Sequence, residues 1–160
     1  MKKYILCLSL MLSLFTTAMA QDYVRETDRK TGRVLLRGKI SFDQLLNEST
    51  CKKWMDAGVA SYQPKQDAVD ALSKLASPYR FVVFTGTWCS DSKDLLPRFY
   101  KVLVEAGVDL RTVEMYGVNR AKESLNLEHQ FYNIHNVPTI ILMHQAREVG
   151  RIVESVSSSI

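Results

Sequence analysis

Apolar positions along this chain change their period several times, and each change marks an element. Phe81-Val82-Val83-Phe84 is a continuous apolar run, the pattern of a strand buried on both faces. Ahead of it, Pro64 suits a first helical turn, and Ala68, Val69, Leu72, Leu75 and Ala76 recur at helical spacing until Ser77-Pro78. Behind it, Leu95, Phe99, Val102, Leu103 and Ala106 form a second helical stripe. Gly107 suits that helix's C-terminus, and Pro97 falls inside it, where it should kink the helix. Leu110 to Met115 reads as a strand. Leu127, Phe131 and Ile134 mark a helix running into the Val137-Pro138-Thr139 turn. Thr139 to Met143 and Glu148 to Val153 read as two strands, antiparallel because their connection is too short for a crossover. The order helix–strand–helix–strand–helix–strand–strand predicts an α/β fold, a central mixed sheet with helices on both faces.

Upstream, the pattern is weaker. Val34 to Ile40 predicts a short strand, and Ser41 can cap a short helix carrying Phe42, Leu45 and Leu46. Residues 50–60 suggest another helix, holding Cys51, Trp54 and Met55. Residues 21–33 are charged and poor in apolar residues, and read as a solvated tail or loop. The first twenty residues have a different character. Lys2 and Lys3 form a basic start, Tyr4 to Phe15 an apolar run, and Ala18-Met19-Ala20 a small-residue cleavage site, the layout of a signal peptide. The run is too short and wrongly flanked for a stable membrane span. Cys7 lies inside it, which makes a poor lipoprotein acceptor. The expected organisation is a signal peptide at 1–20, an N-terminal extension at 21–63 and a main domain at 64–160. Cleavage at about Ala20 leaves no transmembrane span.

Without Lys2 and Lys3, nineteen basic residues face seventeen acidic ones, a net charge of +2. No basic run carries interleaved aromatics, so nucleic acid is not an expected partner. Export implies an oxidising compartment, the periplasm or the exterior, for the two remaining cysteines, Cys51 and Cys89.

Cys89 carries the candidate chemistry. It follows Trp88 at the end of the buried strand and opens a helix, whose free amides and positive dipole end favour thiolate over thiol. In a Cys-x-x-Cys pair the second thiol would stand at position 92, which is Ser92. That hydroxyl can donate to the thiolate. Asp91 opposes a second negative charge and Lys93 offsets it. A lone thiol can attack a disulfide but cannot release the resulting mixed disulfide by itself. The bland alternative is an inert cysteine on a binding module. Cys51 is the candidate second thiol: it can bridge to Cys89, pair with another chain, or stay free beside Trp54 and Met55. His129, His135 and His144 match no compact ligand spacing, so no metal site is expected, although His135 is close enough in sequence to Pro138 to touch a substrate. Trp54, Tyr62, Phe99, Tyr100 and Phe131 read as core or half-buried aromatics.

Three features together resemble the thioredoxin family over roughly residues 64–153: Trp88-Cys89 between a buried strand and a helix, Pro97 eight residues after the cysteine, and Val137-Pro138-Thr139 before the penultimate strand. The wording Thr-Gly-Thr-Trp-Cys-Ser-Asp-Ser is similar to exported bacterial thioredoxin-like proteins with a Cys-x-x-Ser site. The resemblance implies a three-layer α/β/α fold and a cis-proline loop facing the sulfur. It further implies thiol–disulfide exchange, with Cys89 as nucleophile, Ser92 as its hydrogen-bonding neighbour, and Trp88, Val137, Pro138 and Thr139 as the substrate surface. Thiol- or disulfide-containing protein clients are the implied partners, with a small thiol or a membrane redox partner for turnover and no cofactor. A redox-inactive client-binding protein using the same groove is the alternative. The chain departs from the family at Ser92 and at Val83, which stands six residues before Cys89 where thioredoxins hold a buried acid. It also stops where the family's last helix should begin, so that helix is expected to be short, or its sheet face covered by the segment 34–60.

Overall fold

The computed structural model describes residues 22–75 and 78–155. The signal-peptide assignment, the Ala76 and Ser77 end of the first helix, and the final residues after Ser155 lie outside the described residues. The elements run β1 (Tyr23–Thr27), β2 (Val34–Ile40), α1 (Phe42–Asn47), α2 (Ser49–Ser61), α3 (Gln66–Ser73), β3 (Tyr79–Thr85), α4 (Ser90–Glu105), β4 (Glu114–Gly117), α5 (Glu128–Phe131), β5 (Thr139–His144) and β6 (Arg147–Val153). The strands form one mixed sheet in the order β1-β2-β4-β3-β5-β6, parallel only between β3 and β4.

Alternate residues of the strands feed two apolar layers, as the two-residue period requires. On one face, Val83, Met115 and Ile140 pack with Leu95, Leu96, Phe99 and Leu103 of α4. Leu36, Ile40, Phe42, Leu45, Cys51 and Met55 belong to the same cluster, so the segment 34–60 covers this face together with α4. On the other face, Val82, Phe84, Ile141 and Met143 pack with Val118, Ile134 and Val137 from the long β4–β5 connection. The fold is thus three-layered: helices, sheet, and a thinner layer built from α5 and its flanking loops.

Local signals end the helices as elementary chemistry expects. Ser41 and Gln44 form a reciprocal capping box on α1. Gly107 takes φ +71 after α4, with Val108 N–H bonded to Leu103 O and Gly107 N–H to Val104 O, a Schellman stop.

Four expectations are corrected. The stretch 21–33, expected as a tail or loop, holds a strand: β1 pairs along its length with β2, and its charges have partners, Glu26 with Arg37 and Arg25 with Glu48. The sheet accordingly has six strands. Leu110 to Thr112 is a single 3₁₀ turn capped by the Asp109 side chain, and the strand starts only at Glu114. The helix at Leu127 is one turn long, because Asn133 enters the left-handed region at φ +52 and Ile134 N–H closes back on His129 O. Ile134 therefore reaches the core by a turn, while Phe131, read as a buried aromatic, is 81% exposed.

Candidate active site

The turn after β3 places Cys89. Its N–H donates to Gly86 O at 2.8 Å, and its carbonyl accepts the Lys93 N–H at 3.2 Å. Cys89 is therefore the N-cap of α4, in extended backbone conformation, and its side chain takes no part in capping. The half-buried thiol instead donates to the Val137 carbonyl at 3.3 Å. The Val137–Pro138 bond is cis. Pro97 lies inside α4, where it has no N–H for the carbonyl one turn back.

Trp88 precedes the cysteine and packs, as Cys89 does, against the second apolar cluster. Its indole N–H donates to Val118 O at 2.9 Å, which fixes the ring against the second layer. Gly86 makes room for it: a Cβ there would lie 2.7 Å from the indole. Sequence reasoning passed over Gly86, although a glycine directly after a buried strand is a recognisable sign of close approach.

Ser92 is fully buried, and its Oγ accepts the Gly86 N–H at 3.2 Å. Its acceptor thus braces the turn that presents Cys89. Val83 is fully buried in the apolar core, where it offers no proton acceptor. Thr139 pairs with Phe84 and donates through Oγ1 to Asn136 O at 2.7 Å, which holds the proline loop. The Pro138 carbonyl accepts the Glu154 N–H at 2.8 Å, so Val137 supplies the loop carbonyl that faces the sulfur.

Two residues behind this surface went unnoticed in the sequence. Arg120 lies 5.0 Å above the Trp88 ring and grips Asp28 with Nε and Nη2, each at 2.8 Å. Asp28 is buried, and it also accepts from Thr31 Oγ1 at 2.5 Å and Lys30 N–H at 3.1 Å. The Arg120 bond, then the Thr31 bond, hold its carboxyl well below the usual carboxylate range. Asp28-x-x-Thr31-Gly32 is turn chemistry that a closer reading finds. Its partner 92 residues away is not visible locally.

Cys51 sits in the helical-layer core at 1% exposure, and both cysteines are free thiols. Burial pushes the Cys51 thiol up. His129 contacts Ser124 at 3.0 Å, His144 packs its ring on Tyr79 and His135 is exposed. Among the described residues, no three His, Cys, Asp or Glu side chains gather as a metal site would need.

A family model described as Thioredoxin matches residues 39–155. No curated protein matches the chain. Among solved structures, it is similar to a protein of unknown function from Pseudomonas aeruginosa, at 16% identity, a TM-score of 0.55 and 74% coverage of each chain. It is also similar to an HIV epitope scaffold, at 16% identity, a TM-score of 0.53 and 73% coverage of each. Likeness at this identity concerns the fold alone.

Proposed function

The chain belongs to the thioredoxin family, and from that premise we propose that it is an exported monothiol thiol–disulfide oxidoreductase or isomerase, acting on protein or small-molecule disulfides of the cell envelope. One observation carries this reading: the Cys89 thiol stands at the N-cap of α4, beside Trp88 and 3.3 Å from the Val137 carbonyl of the cis-proline loop. Export rests on the basic, apolar and small-residue pattern of the first twenty residues. No helix among the described residues is long and apolar enough to cross a membrane.

In the proposed reaction the Cys89 thiol loses its proton to solvent. The thiolate attacks one sulfur of a client disulfide. That S–S bond breaks, the distal sulfur leaves as thiolate, and a Cys89–client disulfide forms with no net change in oxidation. Ser92 has no thiol with which to expel the client. A small thiol, a second client cysteine or a redox partner must attack the mixed disulfide, which favours isomerisation or holding of clients over rapid net reduction.

The test is trapping. Clients should appear as mixed disulfides on non-reducing gels, vanish with Cys89→Ser and persist with Cys51→Ser. If no adduct forms and Cys89 ignores a mild disulfide at neutral pH, the redox-inactive client-binding reading replaces this one. If Cys51→Ser instead prolongs the adducts, Cys51 is the resolving thiol.

A further inference from the structure

A groove of about 580 Å³ opens beside the site, on the α2 side of Trp88. Trp54 and Ala57 supply its apolar wall, and Arg33, Lys53 and Lys93 its charge. It continues inward as a smaller recess that shares Arg33, Trp54 and Lys93 and ends against Trp88. The three cations come from three places in the chain: the β1–β2 loop, α2 and the first turn of α4.

Their charges are uncompensated. Among the described residues none of the three forms an ion pair. Asp28, which lines the recess, is engaged with Arg120, and Glu48 with Arg25. What sets the groove apart is that three such cations from separate elements surround one aromatic wall. The groove lies close to the nucleophile along α4: Lys93, which lines it, is one helical turn below Cys89, and its N–H is bonded to the Cys89 carbonyl.

We propose that this groove recognises an acidic stretch flanking the reactive cysteine of a client polypeptide. The proposal rests on the exchange reading above. The carboxylates of an extended chain lying in the groove would meet Arg33, Lys53 and Lys93 while an apolar residue covers Trp54. Complementary charge of this kind raises the encounter rate and selects among partners.

The test uses two cysteine peptides, each activated as a 2-pyridyl disulfide and identical except for Asp and Glu against Gln beside the cysteine. The Cys89 thiolate attacks the peptide sulfur, the S–S bond breaks, and pyridine-2-thione leaves and is followed by absorbance. At about 0.01 M salt, where screening reaches about 30 Å, the acidic peptide should react about tenfold faster. At about 1 M salt, where screening reaches about 3 Å, the difference should collapse. Arg33→Gln with Lys53→Gln should bring the ratio to within about twofold of unity. The remote exposed pair Lys74→Gln with Arg147→Gln, of equal charge change, should leave the preference in place.

Equal rates for the two peptides, a preference that survives the groove variant, or equal loss in the remote variant would overturn the proposal. Fluorescence anisotropy of the same peptides with Ser for Cys separates the two readings. Charge-selective, groove-dependent binding without any reaction sinks exchange and keeps the groove. Reaction without charge-selective binding sinks the groove and keeps exchange.

Discussion

Cys51 and Cys89 pack with different apolar clusters, and their surroundings differ in nearly every property that sets a thiol's reactivity. Cys51 is on the inner side of α2, packed in the cluster that includes Met55 and Leu96, and burial holds its proton. Cys89 caps α4, half-exposed, with Trp88 on one side and a carbonyl acceptor in reach. One is a small apolar core residue that happens to contain sulfur. The other is held by a turn whose other residues, Gly86, Trp88 and Ser92, are occupied in presenting it. The difference lies in placement relative to a helix end and to solvent, since the side chain is the same.

The largest expected break between the two is chemical. In the native protein Cys89 should be alkylated by iodoacetamide at least about 100-fold faster than Cys51, because Cys51 reacts only when the α2 layer opens. Peptide mapping after timed labelling measures the ratio, and denaturant should erase it. Comparable native rates would show that the α2 layer is loosely held.

Removing the buried sulfur comes next. Cys51→Ala should lower stability by about 1–2 kcal/mol, from lost burial and a small cavity. The sign of the pH effect follows from the raised pKa. The folded state keeps the proton longer than the unfolded chain, so the Cys51 contribution is complete below the ordinary thiol range and fades above about pH 9. Urea midpoints of wild type and Cys51→Ala should therefore converge above that pH, and a constant gap would argue against a shifted Cys51.

Ser92→Cys sharpens the comparison from the other side by giving Cys89 a neighbouring thiol. An internal disulfide should close, and insulin reduction with dithiothreitol should rise severalfold. The gain should be partial, because Val83 provides no buried base. Sulfur is a weak acceptor, so the buried Gly86 N–H loses most of its bond, at about 1 kcal/mol of stability. No disulfide in a folded variant would favour the client-binding reading.

Asp28→Asn should have the smallest effect. It frees Arg120 from its double contact and loosens the cation above Trp88. In a Trp54→Phe background, which leaves Trp88 as the lone tryptophan, acrylamide quenching should increase. The wild-type contact should persist as pH falls through the usual carboxylate range and weaken only well below it, since Arg120 and Thr31 keep the folded-state carboxylate ionised there. Unchanged quenching would mean that Val118 alone fixes the indole.

The amino-acid sequence by itself determined the frame of the site. A buried strand, a Trp-Cys turn, a Pro-bearing helix and the Val137-Pro138-Thr139 loop are each written in a few adjacent residues, through hydrophobic period and turn chemistry. The same holds for the Ser41 capping box and the Gly107 stop. Tertiary structure alone decided what surrounds that frame. Tyr23 to Thr27 has too few apolar residues to announce a strand, and becomes one because β2 offers an unpaired edge and distant residues neutralise its charges. Asp28 gains its role only when folding brings Arg120 to it across 92 positions. Phe131 has the spacing of a buried residue yet faces solvent, because one left-handed turn at Asn133 ends its helix early. Arg33, Lys53 and Lys93 stand far apart in sequence and form a charged groove only through the packing of three elements. Local conformation depends on near neighbours and can be read from them. Strand pairing, burial and the grouping of charges depend on partners that no local window contains.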